Sequence, residues 1–240
     1  MTKPRVLILR SAGTNCDLET EAAFELAGGQ PSRVHINALL NGTQKLREFD
    51  ILCIPGGFSY GDHIAAGRVL ANEVKKISGL KEFINSGKPV LGICNGFQVL
   101  VKAGFLPGAK AGEQTASLTT NVSGRFECRW SRMKVSQVSF FTKGMPEFID
   151  LPVAHGEGRF VADDDVLDKL EKQVVLRYED NPSGSMRGIA GLVNAKGNVF
   201  GLMPHPERFL TPHHHPYRSE IPENALGLQI IKNCVSHVRG

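Results

Sequence analysis

Short apolar runs that each end at glycine or a small residue, with helical sequence between them, constrain this chain most. RVLILR (Arg5 to Arg10) ends at Ser11-Ala12-Gly13, DILCIP (Asp50 to Pro55) at Gly56-Gly57, and KPVLGI (Lys88 to Ile93) at Cys94-Asn95-Gly96. These runs are apolar almost throughout, the pattern of a strand covered on both faces. A further strand is expected over Arg33 to Ile36. After the first run, Asp17 is read as a helix N-cap and Gly28-Gly29 as the stop. Leu18, Ala22 and Leu26 recur at intervals of four and predict one apolar face for that helix. Helix is also expected over roughly His63 to Ser86, broken near Gly79, and from Asn95 to Ala103, stopped at Gly104. Strands alternating with helices imply a parallel sheet with helices on both faces. Ligands of such sheets sit beyond the carboxyl ends of the strands, which singles out the loops after Leu9, Ile54 and Ile93.

The second half changes character. Shorter strands are expected over Arg125 to Trp130, Met133 to Val138, Val174 to Tyr178, Ile189 to Val193 and Val199 to Met203. The turn Ala195-Lys196-Gly197 joins the last two as a hairpin. Helix resumes at about Glu223 and runs to Val238. With 240 residues, no internal repeat and no low-complexity linker, the chain is expected to form a single domain over residues 1–240.

Composition excludes several classes. Hydrophobic residues make up 41% and charged residues 22%, and the net charge is +4 without a dense Lys/Arg block, so a nucleic-acid partner is not expected. Val6 to Leu9 is too short for a signal segment or a membrane span. A cytoplasmic protein without a membrane partner is the expectation. The five cysteines, Cys16, Cys53, Cys94, Cys128 and Cys234, are odd in number, widely spaced and form no C-x-x-C, which argues against a disulfide framework or a zinc site. Cys53 lies inside an apolar run and is expected in the core, as are Cys128 and Cys234. Cys16 precedes a helix and is a second candidate for a reactive thiol, but it lacks a strand-to-glycine turn.

Cys94 has that turn. Gly92-Ile93-Cys94-Asn95-Gly96-Phe97-Gln98 lies between an apolar strand and a helix, as a nucleophile elbow does. The small residues let backbone pack close to a sharp bend that lifts the sulfur off the sheet. The helix N-terminus favours thiolate, and the Asn95 backbone N–H is placed to donate to an oxyanion. A small buried residue at a tight turn is the other reading of Cys94. A thiol nucleophile needs a base, and the base needs a group to orient it. Met203-Pro204-His205-Pro206-Glu207-Arg208 supplies both after a strand, between stiffening prolines. His155, in Ala154-His155-Gly156-Glu157-Gly158, ends a short strand and is a candidate for the same cleft or for a turn. Three adjacent histidines, His213 to His215, rarely converge on one ion, and no metal is expected.

Taken together, the 92–98 and 204–207 segments resemble the class I, or triad, glutamine amidotransferases. Further segments resemble one branch, the glutaminase subunits of phosphoribosylformylglycinamidine synthase. These are Gly13-Thr14-Asn15-Cys16-Asp17, Pro55 to Asp62, Ser123-Gly124-Arg125-Phe126, His155 to Gly158, and Asn181-Pro182 with Gly184-Ser185. The resemblance covers almost the whole chain. It implies a flavodoxin-like α/β fold, with a mainly parallel central sheet flanked by helices and a small antiparallel extension. It implies Cys94 as nucleophile, His205 as base, Glu207 as its orienter, and the Gly57 and Asn95 N–H groups as an oxyanion hole. Gln98, Asn121, Ser123, Gly124 and Arg125 fall where relatives grip glutamine. No G-x-x-x-x-G-K-[ST] is present, so no cofactor is expected in this chain. ATP and magnesium are expected in a synthase partner, with a small third subunit in the assembly. Another amidotransferase branch and a cysteine hydrolase or peptidase on a similar sheet stay open at this point. A non-catalytic binding protein would be free to lose one member of the Cys–His–Glu set.

Overall fold

A computed structural model describes residues 2–108, 112–135, 139–216 and 224–239. The apolar runs form β1 (Arg5–Arg10), β3 (Ile51–Ile54) and β4 (Val90–Ile93), and β2 is Gln30–His35. The second half adds β5 (Ala116–Thr119), β6 (Glu127–Val135), β7 (Phe148–His155), β8 (Arg159–Ala162), β9 (Val174–Tyr178), β10 (Ile189–Val193) and β11 (Val199–Leu202). Nine of these form one sheet in the order β2-β1-β3-β4-β11-β10-β9-β6-β7. Pairing is parallel from β2 through to β11 and antiparallel from β11 to β7. The α/β class and mainly parallel half are as expected, while the antiparallel extension takes in four strands of the main sheet. β5 and β8 pair separately.

The helices are α1 (Asp17–Leu26), α2 (Ile36–Leu40), α3 (Arg68–Val74), α4 (Leu80–Asn85), α5 (Asn95–Lys102), α6 (Asp164–Leu170) and α7 (Leu226–Arg239). They pack in groups, α1 with α7 and α5 with α3. α5 is buried along its whole length, between β4 and the β5–β8 pair. Among the described residues, no helix is long and apolar enough to cross a membrane.

Several expectations shift. In α1 the stripe Leu18, Ala22, Leu26 faces solvent, with Leu18 61% and Leu26 58% exposed, while Asp17, Thr20, Ala23 and Phe24 face inward. Phe24 and Ala23 supply the apolar part of that inward face, both fully buried. Cys16 takes the N-cap position, and the Asp17 carboxylate instead pairs with Arg10 at 2.8 Å and Arg33 at 3.2 Å. β2 starts before Arg33 and includes Pro31, which an edge strand accommodates. The helical span over 63–86 is two helices, with Gly79 in left-handed conformation between them as the sequence suggested, and residues 63–67 are not helical. Two expected strands are one continuous β6, whose predicted end at Val138 lies outside the described residues. So does Glu223, the predicted start of the last helix.

Candidate active site

Parallel strands end on the same side, so the segments after β1, β3, β4 and β11 converge. Cys94 follows β4 and leads into α5 with φ 49° and ψ −102°. A non-glycine residue at positive φ stores strain, which persists only where surroundings hold it. Here the Cys94 N–H donates to Leu202 O at 2.8 Å and its carbonyl accepts from Gln98 N at 3.1 Å. Gly96 is what allows the bend: a Cβ there would lie 1.9 Å from Ile54 O, so α5 sits directly on β3. The Cys94 side chain is 5% exposed, with Sγ 3.7 Å from Ala154 O.

His205 follows β11 and is fixed by its own N–H, which donates to Pro152 O at 2.8 Å. A 3-10 turn, Pro206–Arg208, folds Glu207 back so that Oε1 accepts from His205 Nδ1 at 2.6 Å. A carboxylate only accepts, so Nδ1 carries a proton. Both residues are about 1% exposed, and His205 Nε2 and Glu207 Oε2 have no hydrogen-bond partner. The thiols of Cys94 and Cys16 both lie close enough to the His205 side chain to act on it. Burial pushes the His205 pKa down, but the Glu207 charge and then Cys94 outweigh it and hold it well above the ordinary value. Cys16, His205 and Glu207 offer ligand atoms within 4.8 Å of one another. Glu207 Oε1 is already committed to Nδ1, and the Arg208 guanidinium lies on the Cys16 sulfur at 3.2 Å, an arrangement for handling a proton rather than a cation.

Gly57 has φ +145°, and a Cβ there would meet Asn15 N and Gly13 O at 2.9 Å. The 12–16 segment clamps this loop through Cys16 N to Gly56 O, Phe58 N to Gly13 O and Tyr60 N to Ala12 O. The Gly57 N–H takes part in none of these bonds. Asn95 begins α5, and its side chain ties the same loop down, accepting from Ser59 N at 3.4 Å and donating to Asp62 Oδ1 at 3.3 Å.

The candidate glutamine contacts fall into two sets. Gln98 and Asn121 are buried and already engaged. Gln98 accepts from Asn95 Nδ2 at 2.9 Å and donates to Glu157 O at 2.6 Å. Asn121 donates to Arg125 O at 2.9 Å and His155 O at 2.8 Å, while its Oδ1 meets Gly158 N at 2.9 Å and His155 Nδ1 at 3.2 Å. With both amide ends in use, Asn121 braces two turns against each other. Ser123, Gly124 and Arg125 lie on the exposed turn it braces. The Phe126 ring beyond them sits 6.4 Å from Phe58, across from the Gly57 loop. His155 is buried at the end of β7, its Nε2 unpartnered, its pKa lowered to about 4 by burial first and by His205 second. The His213–His215 run stays apart: His214 Nδ1 accepts from Leu210 N at 3.2 Å, and His215 packs on Trp130 at 5.1 Å.

Sequence reasoning underrated Cys16, which the fold brings to His205, and passed over Lys102. Lys102 is buried behind the elbow, donating to Ala66 O at 2.7 Å and Leu118 O at 3.0 Å, with Glu157 3.9 Å away. Only the Gly13-to-Asp17 motif pointed toward Cys16, and nothing local marks a lysine in a helical last turn as buried.

A family model described as a CobB/CobQ-like glutamine amidotransferase domain matches residues 3–238. A Dehalococcoides mccartyi protein, phosphoribosylformylglycinamidine synthase subunit PurQ, is 47% identical over 100% of this chain and 99% of its own length. The subunit of the same name from Methanococcus maripaludis is 42% identical over 95% of this chain and 89% of its own. A chain in the solved structure of PurLQS from Thermotoga maritima superposes with a TM-score of 0.81 at 34% identity, covering 98% of this chain and 99% of that one. The family model, the whole-chain identity and the fold lead to one conclusion: this chain belongs to the glutamine amidotransferase family.

Proposed function

We propose that this chain is the glutaminase subunit of phosphoribosylformylglycinamidine synthase. The observation that carries the chemistry is the strained Cys94 elbow facing a buried His205–Glu207 pair. The Cys94 thiolate attacks the carboxamide carbon of glutamine. The Gly57 and Asn95 N–H groups hold the oxyanion that forms. His205 gives its proton to the leaving nitrogen, and ammonia departs, leaving a glutamyl thioester. His205 then takes a proton from water, which attacks the thioester and releases glutamate. Glu207 keeps the ring in the tautomer and orientation that both transfers need. Ser123, Gly124, Arg125 and the backbone of the 155–158 turn hold the glutamine head group, positioned by Asn121 and Gln98. A cytoplasmic synthase subunit takes the ammonia and, with ATP and magnesium, converts formylglycinamide ribonucleotide to the amidine. A small third subunit completes the assembly, in keeping with the PurLQS complex of the Thermotoga maritima relative.

The test pairs chemistry with partnership. Cys94→Ala should abolish glutamine hydrolysis and leave the melting temperature close to native, since the side-chain change is small. A glutamine-like electrophile should label Cys94 and spare the buried Cys53. Copurification should bring down the synthase subunit. Substantial hydrolysis by Cys94→Ala sinks the mechanism, and an unrelated acceptor enzyme in the pull-down sinks the choice of branch.

A further inference from the structure

Cys16 is a buried thiol that the proposed chemistry leaves without a task. It lies at the end of the loop after β1 and is 1% exposed. Its S–H donates to Asn15 Oδ1 at 3.3 Å, and its sulfur accepts from Arg208 Nη2 at 3.2 Å. Its other neighbours are the His205 ring and the Glu207 carboxylate, whose ligand atoms lie within 4.8 Å of the sulfur. A Cβ placed on Gly56 would lie 3.0 Å from Cys16 Sγ and 2.9 Å from His205 Cε1, so thiol and imidazole crowd the same point beside Gly56. The Cys16 backbone N–H donates to Gly56 O at 3.3 Å. That carbonyl shares a peptide unit with the Gly57 N–H. In a trans peptide the two point in opposite directions, so the bond to Cys16 turns the Gly57 N–H away from Cys16.

We propose that Cys16 is a positioning residue: its thiol fixes the His205 ring while its N–H fixes the Gly56–Gly57 peptide, so one residue sets both the base and the oxyanion donor. The inference rests on the proposed glutaminase reading. Glu207 holds the ring at Nδ1 alone, and Nε2 is fully buried with no hydrogen-bond partner. A ring held at one nitrogen can swing about that bond. The sulfur beside the ring, anchored by Asn15 and Arg208, limits that swing and gives the imidazolium a polar neighbour. Burial raises the Cys16 pKa, so the thiol stays neutral and does not compete for the imidazole proton.

The experiment reads the Cys94–His205 pair directly. The pH dependence of Cys94 alkylation by iodoacetamide, followed by mass spectrometry on the full chain, reports the midpoint for thiolate formation. Cys16→Ala and the bulkier Cys16→Val remove the polar atom; Cys16→Ser keeps one. Removing a group that steadies the imidazolium should move the midpoint to higher pH in whichever of the first two variants folds, and the serine variant should move it back. In the synthase complex the same variants should lower kcat for glutamine about 10-fold, with KM held. An unmoved midpoint in Cys16→Ala or Cys16→Val overturns the proposal, even if turnover falls, because packing alone would then explain the loss. Alkylation needs neither glutamine nor a partner, so a chain that never hydrolyses glutamine would overturn the functional reading and leave this measurement standing.

Discussion

Burial alone would strip His205 of its proton, yet the Glu207 carboxylate against Nδ1, together with Cys94 and Cys16, outweighs it. A histidine with a raised folded pKa contributes stability that is full below its unfolded value and is lost as pH rises through the folded one. Glu207→Gln removes that counter-charge, so the imidazolium should lose its proton at lower pH and turnover should fall. His205→Ala should lose more, at least about 10²-fold, because in the proposed mechanism the base takes part in both proton transfers. Steady-state kcat for the two variants checks the order, and a larger loss in Glu207→Gln would reverse the assigned roles. His155 has the opposite sign. Its folded pKa of about 4 lies below the ordinary 6.5, so the unfolded chain binds the extra proton first. Stability should therefore fall as pH drops from about 6.5 to about 4, by about 3 kcal/mol at most. Urea melts at neutral and acidic pH should show a smaller fall in His155→Gln than in the native chain; equal falls would assign the acid sensitivity to other groups. That Cys94, His205 and Glu207 meet was legible residue by residue, because they sit in short motifs with local chemical meaning. The state of Asn121 was not, since its four partners come from Arg125 and from the distant 155–158 turn.

Elements were legible where both faces are covered. β1, β9 and β10 run between the residues their apolar patterns predict, because a fully buried strand has no reason to vary its polarity. Edges were harder. β2 and β7 are the two outer strands of the main sheet, and Pro31 and Pro152 disguise them. α1 was misoriented because Leu18 and Leu26 gave the longer apolar repeat, while the inward face mixes Asp17 and Thr20 with Ala23 and Phe24. The elbow is the element where packing bears most directly on function. Gly96→Ala would drive a Cβ to 1.9 Å from Ile54 O. Backbone cannot yield as a side-chain tip can, so α5 must lift off β3 and carry Asn95 with it. The expected result is a loss of about 3 kcal/mol or more in urea unfolding, the upper range for overpacking, together with lost glutaminase activity. Native stability in Gly96→Ala would show that the elbow is looser than its contacts indicate.

At the scale of the molecule, four parallel strand ends assemble the site, and the loop after β3 is its least settled wall. Tyr60, Asp62 and Ile64 all hold positive φ without being glycine. Such conformations cost of order 1–3 kcal/mol each and persist where function needs a loop poised between states. Ile64 is 92% exposed, and Phe58 and Phe126 are exposed beside the cleft mouth. Two hydrogen bonds, Ser59 N to Asn95 Oδ1 and Asn95 Nδ2 to Asp62 Oδ1, connect this loop to the residue after Cys94. A protein that covers the apolar mouth would therefore press on the strained loop, and through it on the Gly57 and Asn95 donors. Under the proposed function, free hydrolysis would release ammonia to solvent, so the resting loop is expected to hold turnover down. The isolated chain should be a poor glutaminase, and the synthase with its nucleotide and acceptor should raise kcat by about 10²–10³-fold, the scale of one oxyanion donor gained. Ile64→Ser should leave the basal rate of the isolated chain unchanged and reduce the activation. Glutamate production measured alone, with the synthase, and with the synthase and its substrates separates the cases. Full activity in the isolated chain, unaltered by the complex, would show that the loop is already in its working state.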